Sequence, residues 1–369
     1  MLVLVTLVSC SSKDRTLSEQ QAIDQVRVAE EGTAVEGGVG GIGASDRSNP
    51  PEDSDPWEFV CIAEDLHTPA ALAIQPETGH VFVSTRAGVL RCDPKTGEST
   101  TEIAGSPTDS YGRGPVYQFG PLGLCFVDPS TLIVGEGGKP DGEDTLVFFR
   151  VGRDSLESPM KWGEHFRGVG PIRRGDLSHR GEGNFSSVCI QGETGFTCSH
   201  GDDTKGWVSR FELTGSGETL EPFSRLKPQT NRDGPSGLVE YQGKLLISQT
   251  GELDERPDSI LAIVDPASGA VERVIETGLL DISSIALGPD GQTVYAVDFA
   301  WAEPERGGLF SFQLTDSTPR LTRHATMVRP TAVTFSDRGD IFVCCVEGQG
   351  EESDAPAAGK LYRHQMNGE

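Results

Sequence analysis

The sequence predicts an all-β chain, a six-bladed β-propeller of four-stranded blades whose last blade is closed by an N-terminal strand. Three observations carry that prediction. The composition, with 46 Gly, 23 Pro and 36% hydrophobic residues in 369, suits many short strands joined by turns. A hairpin pattern, clearest in Pro330 to Cys345 (P-T-A-V-T-F-S-D-R-G-D-I-F-V-C-C), recurs six times at spacings of 47 to 64 residues, which is the length of a blade and too long for a leucine-rich repeat. The sixth repeat ends after three strands, while Glu58 to Ala63 reads as a strand with no blade of its own. Pairing the two closes the ring and removes two open sheet edges.

In chain order, residues 1–10 (M-L-V-L-V-T-L-V-S-C) form an apolar run too short for a mature membrane span but suited to an export signal. Leu7-Val8-Ser9-Cys10 resembles the lipobox of bacterial lipoproteins, although no Lys or Arg precedes the apolar run. That resemblance implies acylation of Cys10 and a location in the bacterial cell envelope, the alternative being a cleaved signal and a soluble exported chain. Membrane contact is then expected only through the N-terminal lipid. Residues 11–56 read as an acidic, Gly- and Pro-rich tether with a short helix from about Glu19 to Glu31, opened by the capping-box spacing of Ser18 and Gln21. The propeller is expected over residues 57–366 and a short tail over 367–369.

The hairpins start at Thr68, Gly120, Asn184, Gly234, Asp281 and Arg329. Each first strand carries a small residue (Ala71, Gly123, Ser187, Gly237, Ser284, Ala332), as a crowded axis demands, followed by an aliphatic one. Second strands begin at Val81, Leu132, Phe196, Leu245, Val294 and Ile341. Third strands are expected at Gly88–Cys92, Thr145–Val151, Trp207–Leu213, Ser259–Val264, Gly308–Leu314 and Lys360–His364. Fourth strands are expected at Thr100–Ile103, Thr219–Phe223, Ala270–Ile275 and Arg320–His324, and less distinctly at Met160–Phe166.

Motifs such as P-S-G-L…G-K-L-L-I-S and P-T-A-V-T-F-S-D-R-G-D-I-F-V resemble the NHL-repeat and gluconolactonase (senescence-marker-protein) superfamily of six-bladed propellers. That superfold hosts hydrolases, quinoprotein oxidoreductases and binding modules, so the resemblance implies architecture more than reaction. In the gluconolactonases a Glu, two Asn and an Asp near the starts of the innermost strands hold a metal. The matching positions here include Ala70, Ser186 and Ser236, with no carboxylate among them; Asp233 and Asp281 just upstream could swing inward, but a role in capping turns is the expectation.

Two rings of residues are expected at one mouth of the channel. One is Ala70, Leu122, Ser186, Ser236, Ser283 and Thr331. The other, past the second strands, is Thr85, Glu136, His200, Gln249, Asp298 and Cys345. The second ring is polar, and it is the expected ligand site, for a small-molecule or protein ligand. Within it, Glu136, His200 and Asp298 are the candidate ligands of a divalent metal such as calcium. A metal-dependent hydrolase or a quinoprotein-type oxidoreductase using the same mouth is the alternative. The oxidoreductase would draw on His200, Arg86, Lys205 and Gln249 around a quinone.

The formal net charge of −25 repels polyanions and argues against nucleic acid as a partner. A monomer is expected. The connection from Gly152 to Gly183 carries Lys161, His165, Arg167, Arg173, Arg174, His179 and Arg180, a local basic cluster for an anionic partner or, equally open, a solvated loop. The Gly-rich acidic loops at Gly137–Asp144, Gly201–Lys205, Gly251–Asp258 and Glu347–Ala358 offer oxygen ligands without the spacing of a calcium loop. Seven cysteines follow Cys10, so a fully paired set within one chain is impossible. They are expected as small buried hydrophobes, with Cys344 buried and Cys345 facing the channel.

Overall fold

The computed structural model describes residues 57–110, 116–175, 177–200, 206–215, 217–232, 234–314, 320–346 and 358–366, and the backbone alone of 52–53 and 111. Cys10, the helix expected at Glu19–Glu31, Lys205, Asp233 and the loop from Glu347 lie outside them. Six four-stranded antiparallel blades follow one another along the chain, and two of them carry a short fifth strand, parallel, at the outer edge. Their innermost strands are Leu72–Ile74, Gly123–Asp128, Ser187–Gln191, Pro235–Tyr241, Ile282–Leu287 and Pro330–Phe335. The all-β, six-bladed propeller read from the repeat is the fold, and its closure is as expected. Val60–Ala63 pairs antiparallel with Gly359–His364, with Val60 opposite Arg363 and Cys61 opposite Tyr362.

Local chemistry explains the hairpins. Asp93, Asp128, Asp265 and Asp290 each follow a strand and accept a backbone N–H two residues on, at 2.8 to 3.1 Å, so one carboxylate shapes each turn. The small residue in each first strand has a steric cause. A Cβ on Gly237 would lie 2.8 Å from the backbone N of Ile285 in the next blade, so adjacent inner strands leave no room there.

The core is divided among the blade interfaces. Six clusters of buried side chains fill the six joints, one joint each. Phe82, Leu132, Phe149 and Trp162 join the first and second blades. Val81, Val83, Phe342 and Leu361 join the sixth to the first, so closure buries a core of its own as well as pairing an edge.

Two connections differ from expectation. Met160–Lys161 does not belong to the second blade's outer edge. It pairs in parallel with Ser99–Ala104 of the first blade, and Arg167–Val169 is the outer strand of the second. Trp162, between them, must reach the joint between those blades, which forces the chain across it. Within the expected tether, Glu52–Asp53 pairs in parallel with Arg320–Thr326.

None of the seven later cysteines forms a disulfide, and most are buried. Burial pushes the Cys125 thiol up to about 12 and Cys189 to about 11. Cys344 and Cys345 diverge as alternating strand residues must, but not between interior and channel. Cys344 packs in the joint of blades six and one, Cys345 in that of five and six. A blade turns both sheet faces toward its neighbours, so alternation along a strand selects a joint and never the axis.

At that fifth joint Trp57 stacks between two imidazoles, with ring centroids 4.0 Å from His324 and 4.7 Å from His364. Burial and then the His364 charge push His324 down to about 4. The native state therefore favours the neutral ring. Its contribution is complete above the unfolded value near 6.5 and is lost as pH falls toward 4, on the order of 3 kcal/mol. Urea unfolding at pH 7 and pH 4 should show a smaller acid loss in His324→Phe than in the native chain. An equal loss in both would remove His324 as its source.

Candidate functional site

The first ring arrives as the sequence predicts. Ala70, Leu122, Ser186, Ser236, Ser283 and Thr331 all line one cavity of about 240 Å³ at a mouth of the channel. Three of the hydroxyls stitch successive blades. Ser186 Oγ donates to the Pro235 carbonyl at 3.1 Å, Ser236 Oγ to Ile282 at 2.6 Å and Ser283 Oγ to Pro330 at 2.8 Å.

The second ring is divided. Only His200 lines the cavity; Thr85, Glu136, Gln249, Asp298 and Cys345 are buried behind it. Glu136 accepts from Trp162 Nε1 at 2.8 Å, from the Thr145 backbone at 2.8 Å and from its hydroxyl at 2.7 Å, and pairs with Lys139 at 2.5 Å. Gln249 donates to the Arg232 carbonyl, and Thr85 to that of Gly88. Asp298 accepts three backbone N–H groups, from Leu280, Asp281 and Ala300, at 2.9, 2.7 and 3.2 Å. These are the contacts of loop anchors. Glu136, His200 and Asp298 do not converge, and among the described residues no three His, Cys, Asp or Glu side chains are placed to hold a metal ion.

The cause is a slip of one residue. Ser187 pairs with Cys198 as Gly237 pairs with Ser248 and Ser284 with Val297. His200 is therefore the counterpart of Thr250, Phe299 and Val346, which also line the cavity, while Ser199 is the counterpart of Gln249 and Asp298. Gly195 stands where Leu245 and Val294 stand elsewhere, because the Phe211 ring fills the space its side chain would need. That glycine shifts the visible apolar triplet by one position. Counting from the two-residue turns instead, Gln191 to Thr194 and Tyr241 to Lys244, gives the true register.

Sequence reasoning missed the cavity wall. The short hairpin of Asp109–Tyr111 and Tyr117–Phe119 connects the first two blades and sets Tyr117 against the second-to-third-strand loop of the fifth blade. Tyr117 meets Phe299 and Trp301 edge-on at 6.0 and 5.7 Å, and those two stack at 5.2 Å. Ala300 between them is left-handed, φ 51°, held by its N–H to Asp298. A sequence signal existed in Phe299-Ala300-Trp301, two aromatics past a strand end where loops are ordinarily polar.

Among the described residues Asp281 is the one carboxylate in the lining, only 1% exposed. Its Oδ2 accepts the Trp301 N–H at 2.6 Å, and its Oδ1 has no hydrogen-bond partner. Burial first, then the Asp298, Asp258 and Asp254 charges, push its carboxyl up to about 7. The hydroxyls of Thr68 and Tyr117, also in the lining, are likewise unpartnered and buried. Buried polar atoms without partners are uncommon and mark a place where a ligand can complete the bonding.

Two members of the expected basic cluster are engaged in packing, while Lys161, Arg173, Arg174, His179 and Arg180 are exposed. Arg167 donates to the carbonyls of Leu213, Glu212 and Gly217 and lies over Phe148, and His165 contacts the Trp162 carbonyl. Of the acidic loops, Asp144 binds the backbone N–H groups of Lys139 and Asn184, and Asp258 that of Glu252, closing their own turns.

No family model and no curated protein matches this chain. Among solved structures, it is similar to a putative oxidoreductase (glucose dehydrogenase) from Thermus thermophilus, at 15% identity, covering 83% of this chain and 99% of that one with a TM-score of 0.54. The soluble aldose sugar dehydrogenase of Escherichia coli in its apo form gives 12%, 84%, 99% and 0.55. Kuenenia stuttgartiensis hydrazine synthase gives 15%, 76%, 74% and 0.51. At these identities the likeness is one of fold, and it extends over nearly the whole length of both sugar dehydrogenases.

Proposed function

We propose that the chain is an exported small-molecule-binding propeller, anchored through an acylated Cys10 and using the cavity walled by Tyr117, Phe299 and Trp301. The observation that carries this reading is the cavity itself. It is concave and largely apolar, it holds a few convergent polar groups, and three of those are buried without partners. The resemblance to NHL-type propellers supports the same reading through architecture alone.

A second reading, a quinoprotein-type oxidoreductase, draws on the names of the two sugar dehydrogenases that share the fold. The residues fit it poorly. A quinone carrying carboxylates needs cations, yet no Arg or Lys is among the described residues lining the cavity, and Gln249 is buried behind it.

Thermal unfolding in the presence of small water-soluble metabolites tests the proposal. At least one compound should raise the melting temperature of the native chain and fail to do so for Leu253→Trp, which narrows the cavity from a partly exposed position. Sugar-dependent dye reduction after adding a quinone would replace the binding reading with the oxidoreductase. Radiolabelled palmitate appearing in the native chain and not in Cys10→Ser tests the anchor.

A further inference from the structure

We infer that the cavity takes an organic ammonium cation, held by Asp281 Oδ1 within the aromatic wall of Tyr117, Phe299 and Trp301. This rests on the cavity being a binding site and names the class of its ligand. The first argument is the direction of the hydrogen bonds. Ser186, Ser236, Ser283, Thr331, Thr250 and His200 all line the cavity, and each side chain is bonded to a backbone carbonyl, to which it must donate. The hydroxyl protons are committed, and what those five side chains keep toward a guest is lone pairs. A guest that donates is matched by these side chains, while the unpartnered hydroxyls of Thr68 and Tyr117 can turn to either role.

The second argument is charge. Among the described residues Asp281 is the sole carboxylate in the lining and no Arg or Lys joins it, and the charges of Asp298, Asp258 and Asp254 act on it. Each adds to a negative potential, reduced for Asp254 and Asp258 by their pairing with Arg256 and Arg232. The unpartnered Oδ1 of a carboxylate that is 1% exposed is costly until something positive or donating reaches it. Arg329, whose charge acts on Tyr117, is not part of the lining.

The third argument is the wall. A polyol needs polar partners over most of its surface, whereas this cavity offers Leu122, Leu253, Phe119 and Val346 besides the aromatic trio. Aromatic faces attract a cation through the ring quadrupole and tolerate its alkyl substituents, and the attraction is largest where water is excluded. An alkylated ammonium satisfies the carboxylate and the apolar wall together.

Choline and its uncharged carbon isostere 3,3-dimethylbutan-1-ol separate charge from shape. Titrated into the full chain and followed by calorimetry and by Trp301 fluorescence, choline should bind about tenfold or more tightly than the alcohol. Asp281→Asn keeps an oxygen for the Trp301 N–H, so the fold should hold. It should bind both probes alike. Choline does not titrate, so its affinity for the native chain should rise with pH through the region near 7 as Asp281 ionises. The groups facing Asp281 are Asp298, Asp258 and Asp254, with His200 and Tyr117 across the cavity. Asp281→Asn removes the carboxylate's share of that rise and leaves whatever His200 contributes. Equal binding of the two probes to the native chain would overturn the cationic ligand while leaving the cavity as a site. Binding of glucose in place of choline would do the same, and binding of no compound would remove the site itself.

Discussion

Asp298→Ala is expected to lower the free energy of unfolding by at least about 3 kcal/mol, because three backbone N–H groups would lose their acceptor inside the protein. The carboxylate is 2% exposed, so water cannot take its place without opening the fold. The damage would reach the cavity. Asp298 holds the N–H of Asp281 and that of Ala300, the left-handed residue between Phe299 and Trp301. A variant that still folds should therefore lose choline binding. Asp298→Asn keeps one carbonyl for these donors and turns an amide NH₂ toward them, so an intermediate loss is expected. Urea unfolding followed by tryptophan fluorescence measures both. If Asp298→Ala were as stable as the native chain and lost a bound divalent ion instead, Asp298 would be a metal ligand and not a loop anchor.

Asp298 also shows which parts of the protein are legible in its sequence. The ring could be read because each step is local or forced. A hairpin needs an apolar strand, a turn and a second strand, and an unfinished sixth blade needs the spare strand at Val60–Ala63. The serine ring could be read because it sits at the start of each repeat, where the small residue after it marks the register. The polar ring past the second strands could not. Its alignment rested on apolar triplets, and in the third blade Gly195 hides the first member of the triplet because a neighbour's ring supplies the bulk. One position at a strand end separates a cavity-lining residue such as Thr250 from a buried anchor such as Gln249. The cavity wall depended on a contact between distant segments, Tyr117 after the first blade and Trp301 in the fifth, which no periodicity encodes. Asp281 was visible as a carboxylate before a strand; only its neighbours distinguish a turn cap from a carboxylate with an unpartnered oxygen.

The second large effect lies at the joint between the first two blades. Arg91 and Glu102, 3% and 0% exposed, pair at 2.9 Å, and the guanidinium also donates to the carbonyls of Gly152 and Arg153 at 2.8 Å while lying 5.0 Å from the Phe82 ring centre. Desolvation raises the Glu102 carboxyl, and the Arg91 charge opposes that rise. Arg91→Met should therefore cost about 3–5 kcal/mol, since it leaves a buried carboxylate without its cation and removes a donor from the Arg153 carbonyl, while Gln75 still donates to that of Gly152. The sign of the pH dependence identifies the cause. Without Arg91 the Glu102 carboxyl rises further above its unfolded value, so the folded variant binds a proton more readily than the unfolded chain does. Its deficit relative to the native chain should shrink as pH falls through that raised value. Glu102→Gln added to Arg91→Met removes the uncompensated charge, and the double variant should recover much of the loss at neutral pH. Urea unfolding of the four proteins at pH 7 and pH 5 completes the cycle. A double variant no more stable than Arg91→Met would mean that the bonds to Gly152 and Arg153, and not the ion pair, hold this joint closed.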